Sequence, residues 1–138
     1  MKKILMLSGF LLALSFFGTS IKAQASVKGT PEKLMTFEKT YIDLGKVKRG
    51  EKREFSFEFT NTGSEALTID LVSACECTTT DYPVLPIAPG KSGKIDIVFD
   101  STEKEASETI DVDIFLVNRD KKGNTIVERV QYYFDLEQ

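Results

Sequence analysis

An immunoglobulin-like β-sandwich of about seven strands, preceded by a cleaved signal peptide, is the fold class this sequence predicts. Three observations carry the expectation. Apolar side chains recur at every second position in several short runs, the period of a strand with one buried face. Between the runs lie clusters of Gly, Pro, Asn and Ser, the residues that make turns. No stretch after residue 25 reads as a helix.

The leader comes first. Lys2 and Lys3 give a positive start, Ile4 to Phe17 is apolar, and Ala23-Gln24-Ala25 ends with small residues at alternate positions. This is the layout of a secretory signal peptide, residues 1–25, cut before Ser26. The apolar run falls short of the ~20 residues a membrane-spanning helix needs, so no span is expected after cleavage. Ser26 to Thr36, with Gly29 and Pro31 and no periodicity, reads as a flexible spacer, and the domain is expected over residues 37–138.

Tyr41 to Leu44 suits a short first strand, followed by a basic, turn-rich link from Gly45 to Glu51. The central stretch is Lys52 to Thr80. Phe55, Phe57 and Phe59 fall on one face against Glu54, Ser56, Glu58 and Thr60 on the other. Asn61, Thr62, Gly63 and Ser64 make the turn to a second strand, where Leu67, Ile69 and Leu71 repeat the pattern. Three of the four prolines sit between Thr78 and Gly93, which bars a helix or a central strand there, with room for a brief edge strand at Val84 to Ile87.

Lys94 to Asp100 alternates with Ile95, Ile97 and Phe99 inward. Ser101 to Glu108 is a charged loop, and Thr109 to Asn118 follows with Ile110, Val112, Ile114 and Leu116 on one face. Asp120 to Asn124 is a hairpin loop. Thr125 to Leu136 closes the domain, with Ile126, Val130, Tyr132, Phe134 and Leu136 sharing a face; Glu128 interrupts that face and suggests a bulge.

Removal of residues 1–25 leaves 113 residues and takes away three lysines and no acid, moving the net charge from −3 to −6. An acidic domain lacks the basic footprint of nucleic-acid binding. A chain of this size hides roughly two-thirds of its unfolded surface and does not depend on disulfides. The sequence has no histidine, which excludes Ser–His and Cys–His nucleophilic pairs and two-histidine zinc motifs. Ser101-Thr102-Glu103-Lys104 and Lys91-Ser92-Gly93 match fragments of penicillin-recognising enzymes in the wrong order, and Gly90-Lys91-Ser92 lacks the first glycine of a phosphate loop. No enzymatic activity is expected.

Five short motifs agree in order with a known family. They are Ile42-Asp43-Leu44-Gly45-Lys46-Val47, the phenylalanine strand with Asn61-Thr62-Gly63, Ser73-Ala74-Cys75-Glu76-Cys77-Thr78, Ile87-Ala88-Pro89-Gly90-Lys91-Ser92-Gly93, and Ile95 to Asp100. Over residues 37–118 the chain resembles the bacterial family catalogued as domain of unknown function 1573, common in secreted proteins and related in fold to the immunoglobulin-like domains of major sperm protein and cilia-associated proteins. The resemblance implies that fold and an exported location, periplasmic or beyond, with no settled activity. Where the family has Cys-Gly-Cys this chain has Glu76, which argues against a tight turn between the thiols.

Cys75 and Cys77, the only cysteines, are the residues with chemical content. Strand parity continued from Leu71 puts Ser73, Cys75 and Cys77 on one side. Two such thiols are small buried hydrophobes, partners in a disulfide, a redox handle, or soft ligands for Cu(I); no other cofactor is indicated. In an extended strand their Cα atoms would lie about 6.6 Å apart, near the limit for a bridge, so a link would be strained. Zinc wants four ligands and finds too few. Asp96, Asp100, Asp111 and Asp113 are expected as an outward acidic set, Lys46, Lys48, Arg49, Lys52 and Arg53 as a basic cluster, and Tyr82, Phe115 and Tyr133 as surface aromatics. The function these features suggest is an exported, non-catalytic module that binds a protein or envelope component, with a thiol redox or Cu(I)-handling role through Cys75 and Cys77 as the alternative.

Overall fold

The computed structural model describes residues 33–138; the expected signal peptide and residues 26–32 of the expected spacer lie outside them. Eight strands follow in order: β1 (Met35–Phe37), β2 (Tyr41–Lys48), β3 (Lys52–Asn61), β4 (Ile69–Ser73), β5 (Thr78–Asp81), β6 (Ser92–Asp100), β7 (Glu108–Arg119) and β8 (Thr125–Glu137). They form two sheets, β1-β3-β6-β5 and β2-β8-β7-β4. The architecture is the expected all-β sandwich, with one strand more than the seven anticipated.

Alternation explains the core. Phe57, Phe59, Ile95, Ile97 and Phe99 of the first sheet are buried, and so are Ile110, Val112, Ile114, Leu116, Val130, Tyr132 and Phe134 of the second. The layers meet through aromatic rings: Phe55 lies 5.0 Å from Tyr132 edge to face, and Phe99 lies 4.5 Å from Phe134 and 5.4 Å from Tyr132. Such offset or tilted contacts add to the area that each ring hides from water.

Several expectations need correcting. Leu34 and Met35, placed at the end of the spacer, are buried in the core, and Met35 begins β1 against Asn61. The strand at Tyr41 continues to Lys48 rather than ending at Leu44, because Asp43 accepts the Gly45 amide at 2.8 Å and Gly45 takes a φ of 67°, making a local kink after which pairing with β8 resumes. The bridge at Ile87 to Leu67 is isolated, and the edge strand of that region is β5, paired with β6 ahead of the prolines.

The largest difference is at residues 61–68. They do not close a hairpin: β3 and β4 belong to different sheets, and this segment is an arch between them. Asn61, expected in a turn, is fully buried. Its amide donates to the carbonyls of Glu65 and Ile87, each at 2.8 Å, and its Oδ1 accepts the Gly63 amide at 3.0 Å. Asn118 holds the far end, accepting from Thr68 N–H and donating to Ala66 O at 2.8 Å. Two asparagines thus satisfy backbone groups that an arch leaves unpaired.

β4 pairs with β7 through an irregularity between Ile69 and Leu71, which inverts the side-chain parity. Val72 is therefore buried and Leu71 is 51% exposed. Glu128 marks no bulge: it pairs in register with Ile114, and the β7–β8 irregularity lies between Phe115 and Arg119. Glu128 instead sits half-buried on the inward parity, where burial raises its carboxyl above the usual range and Lys33 partly offsets this.

Two outcomes follow for stability. Asn61→Ala should cost about 2–3 kcal/mol in urea denaturation, since it strands the buried Ile87 carbonyl and leaves the part-buried Glu65 carbonyl and Gly63 amide without their partner. Glu128, with its folded pKa above the unfolded one, loses stability as pH rises from the unfolded value through the folded one. Glu128→Gln should therefore be more stable than the parent at pH 7, by less than about 1 kcal/mol, with the gain gone near pH 4; denaturation midpoints at the two pH values check it.

Candidate functional site

The chain leaves the second sheet at Ser73 and enters the first at Thr78. The four residues between must turn sharply, and they do so through a 3.0 Å bond from Thr78 N–H to Cys75 O. Asp100 N–H donates to Cys77 O at 2.9 Å, which ties the link to the end of β6. Cys75 and Cys77 are therefore not on an extended strand. Their Cα atoms lie 5.2 Å apart, inside the ordinary range for a bridge, and the two residues form a disulfide. The separation of about 6.6 Å expected of an extended strand therefore does not apply. Glu76 makes the turn although it replaces glycine, since none of the described non-glycine residues needs a positive φ.

Both cysteines are half-buried and pack against the core, while Glu76 between them is exposed. Thr78 Oγ1 lies 3.2 Å from Cys75 Sγ and 3.6 Å from Cys77 Sγ. On its other side it is 2.6 Å from the hydroxyl of Tyr132, which itself lies 3.9 Å from Cys77 Sγ. A disulfide sulfur carries no proton, so toward Cys75 Thr78 is the donor, with a single proton to give. When the Thr78 proton points to Cys75, Tyr132 donates to Thr78; when it points to the phenol, the Tyr132 proton faces Cys77 Sγ. Burial first, and the nearby Glu108 charge, push the phenol pKa up to about 12 against the lowering effect of Thr78. The two hydroxyls and the disulfide thus form one connected hydrogen-bonding cluster with Thr78 Oγ1 at its centre.

Sequence reasoning found the two cysteines but missed Thr78 and Tyr132. The available signal was a tyrosine on an inward parity, whose hydroxyl needs a partner when buried. The ring closed by the disulfide is too small for much stapling. Chain entropy assigns it on the order of 1.5 kcal/mol, about a third of what a hundred-residue loop gives. Bonded to each other, the sulfurs have no thiolate to offer Cu(I), so ligation would require reduction first. Among the described residues no three potential metal ligands converge.

The other sequence candidates are dispersed. Asp96 and Asp100 lie on β6 and Asp111 and Asp113 on β7, in different sheets, so they form no single acidic patch. Asp96 takes a 2.5 Å bond from Ser56, while Arg129 bonds Asp113 at 2.6 Å and pairs with Asp111 at 3.2 Å. The hydrogen bond from Arg129 holds the Asp113 carboxyl below its usual range. In the basic cluster, Lys46 pairs with Glu137, Lys52 with Asp100 and Arg53 with Glu51. The Ser101 hydroxyl lies 2.9 Å from Lys48 O and 2.8 Å from Glu51 O, sharing its one proton between them and tying its loop to the β2–β3 turn. Tyr82 packs against the core, and Phe115 and Tyr133 pair with Val127 and Thr109 at separate places.

One surface feature was not anticipated. Leu71 of β4, Phe115 of β7 and Val127 of β8 stand directly opposite one another in register. The parity inversion at β4 turns Leu71 to the outer face, so an apolar row crosses three strands and reaches the β4 edge. Among the described residues no helix is long and apolar enough to cross a membrane.

No curated protein sequence is close enough to this chain to count as a match. Solved structures share its fold. The chain is 22% identical to a protein of unknown function from Porphyromonas gingivalis W83, with a TM-score of 0.61, covering 80% of this chain and 50% of that one. The human CEP192 PapD-like domain 7 is 12% identical with a TM-score of 0.61, and 99% of both chains is covered. The VesB protease of Vibrio cholerae is 17% identical with a TM-score of 0.59, covering 75% of this chain and 32% of that one. The chain thus spans about a third of VesB and half of the Porphyromonas protein. Residues 35–128 match the family model described as "Protein of unknown function (DUF1573)", and the chain belongs to that family.

Proposed function

We propose that this protein is an exported, non-catalytic immunoglobulin-like module that binds another protein by strand addition at the β4 edge. The observation that carries the reading is the apolar row. Leu71, Phe115 and Val127 lie side by side across β4, β7 and β8, and β4 is the last strand of its sheet. An edge strand offers unpaired N–H and C=O groups, and proteins commonly blunt such edges with charge. Here the edge exposes Leu71 at its middle, half exposed, next to a single acid, Asp70. An extended partner segment lying along β4 would gain main-chain hydrogen bonds, and an apolar side chain opposite Leu71 would lengthen the row by one strand.

Export is supported by the leader pattern of residues 1–25 and by the Cys75–Cys77 disulfide, a link that persists in oxidising compartments. The non-catalytic reading is supported by the missing histidine and by the use of the Ser101 hydroxyl in backbone contacts. The occupant this site suits is a protein strand with an apolar residue. Charge points away from nucleic acid.

Affinity capture from the envelope fraction of the producing bacterium tests the reading. A protein retained by the parent chain should be lost, by about tenfold or more, from a Leu71→Asp, Val127→Glu variant. It should be kept by Val84→Asp, Leu85→Asp, which alters exposed loop residues elsewhere. Bound partner should also slow amide exchange across 69–73. Equal retention by both variants, or unchanged exchange in β4, overturns strand addition there.

A further inference from the structure

The disulfide has features that stapling does not explain. Its ring spans a single intervening residue, so it restricts the unfolded chain little. Both cysteines are half-buried and pack against the core rather than within it. Thr78 Oγ1, held at 2.6 Å by the Tyr132 hydroxyl, lies 3.2 Å from Cys75 Sγ and can donate to it. A threonine donor adds little to a neutral disulfide sulfur, a weak acceptor, but a hydrogen bond to a charged sulfur is roughly twice as strong. The arrangement is matched to the thiolate.

We propose that Cys75–Cys77 is a thiol–disulfide exchange site whose substrate is a dithiol. Thr78 stands nearer to Cys75 than to Cys77, so Cys75 is the better leaving group. A partner thiolate attacks Cys77 Sγ and forms the partner–Cys77 bond. The Cys75–Cys77 bond breaks, and its electron pair leaves on Cys75 Sγ, where the Thr78 hydroxyl stabilises it. The partner's second thiolate then attacks the partner sulfur of the mixed disulfide and releases Cys77. The protons lost by the two partner thiols end on Cys75 and Cys77. The partner is oxidised to its disulfide, and this chain is reduced by two electrons. Thr78 touches the reacting sulfur; Tyr132 is a positioning residue that fixes which way the Thr78 proton points.

The test uses the oxidised chain and dithiothreitol, with thiols trapped by alkylation and counted by mass spectrometry while circular dichroism follows the sheets. Both thiols should appear with the β spectrum retained, and the link should re-form on reoxidation. Thr78→Val should slow reduction by roughly tenfold, the effect of one hydrogen bond to a charged group, and Thr78→Ser should restore the rate. In case Thr78→Val does not fold, Tyr132→Phe is the second variant: thiolate absorbance of the reduced protein should titrate at higher pH than in the parent. Reduction only when the sheets unfold, a parental rate for folded Thr78→Val, or an unmoved titration in Tyr132→Phe each overturns the proposal.

Discussion

A tyrosine hydroxyl placed between two apolar layers must find a partner, and that requirement organises one end of this sandwich. Tyr132 is fully buried, its ring between Phe55 and Phe99 of the opposite sheet. Burying a hydroxyl without a hydrogen bond costs about 1–3 kcal/mol, and Thr78 removes that cost by bonding to it. Thr78 can stand there only if β5 begins at that residue. β5 begins there because the chain turns over Cys75, Glu76 and Cys77 and is pinned by Asp100 to the end of β6. The same hydroxyl that satisfies the core therefore delivers the cysteines to the rim, one layer from solvent.

The opposite end solves a different problem by similar means. There the chain crosses between sheets at residues 61–68, and its backbone groups have no ladder to join. Asn61 and Asn118 supply the missing partners, reaching the carbonyls of Glu65, Ala66 and Ile87 and the amides of Gly63 and Thr68. Each crossing is thus held by polar side chains on the apolar scaffold, while the flat faces are held by rings and aliphatic groups. This division leaves the outer faces free to carry other features, such as the row from Leu71 to Val127.

Much of the fold was legible because alternation reports burial directly. Ile95, Ile97 and Phe99, and likewise Ile110 through Leu116, could be assigned to a buried face from period alone, and the structure agrees. What period cannot report is which sheet a strand joins. The turn residues at 61–64 suit a hairpin and an arch equally well, and only the buried amide of Asn61 separates the two. Parity also fails wherever one residue is inserted: the irregularity at Ile69–Leu71 turned Leu71 outward and Val72 inward, and the cysteines beyond it leave the strand pattern for a turn. Glu128 misled for the opposite reason, since a long acidic side chain tolerates an inward position at the sheet rim without any bulge. Thr78 and Tyr132 lie 54 residues apart, and nothing in local pattern links them.

Strand β4 gives the two proposed roles a common physical basis. It carries Leu71 at the open edge, and two residues after Leu71 it ends at Ser73, where the link to the disulfide begins. The geometry of that link is set by the bond from Thr78 to Cys75, by the anchor from Asp100, and by the covalent closure between the sulfurs. Opening the closure would leave the first two and remove the third. The end of β4 would then be held by Val72 in the core and by those main-chain bonds, while its start stays held by Ile69 in the core and Asn118 at Thr68. On the proposed exchange, opening the link would loosen the chain just beyond Ser73, a few residues from the edge a partner strand would use. Local restraint of this kind needs no rearrangement of the aromatic core, whose contacts lie on β1, β3, β6 and β8 and meet the link through the bond between Tyr132 and Thr78. The two proposed roles would then share one stretch of chain, with exchange at the rim acting on the neighbouring edge while the ring contacts stay in place.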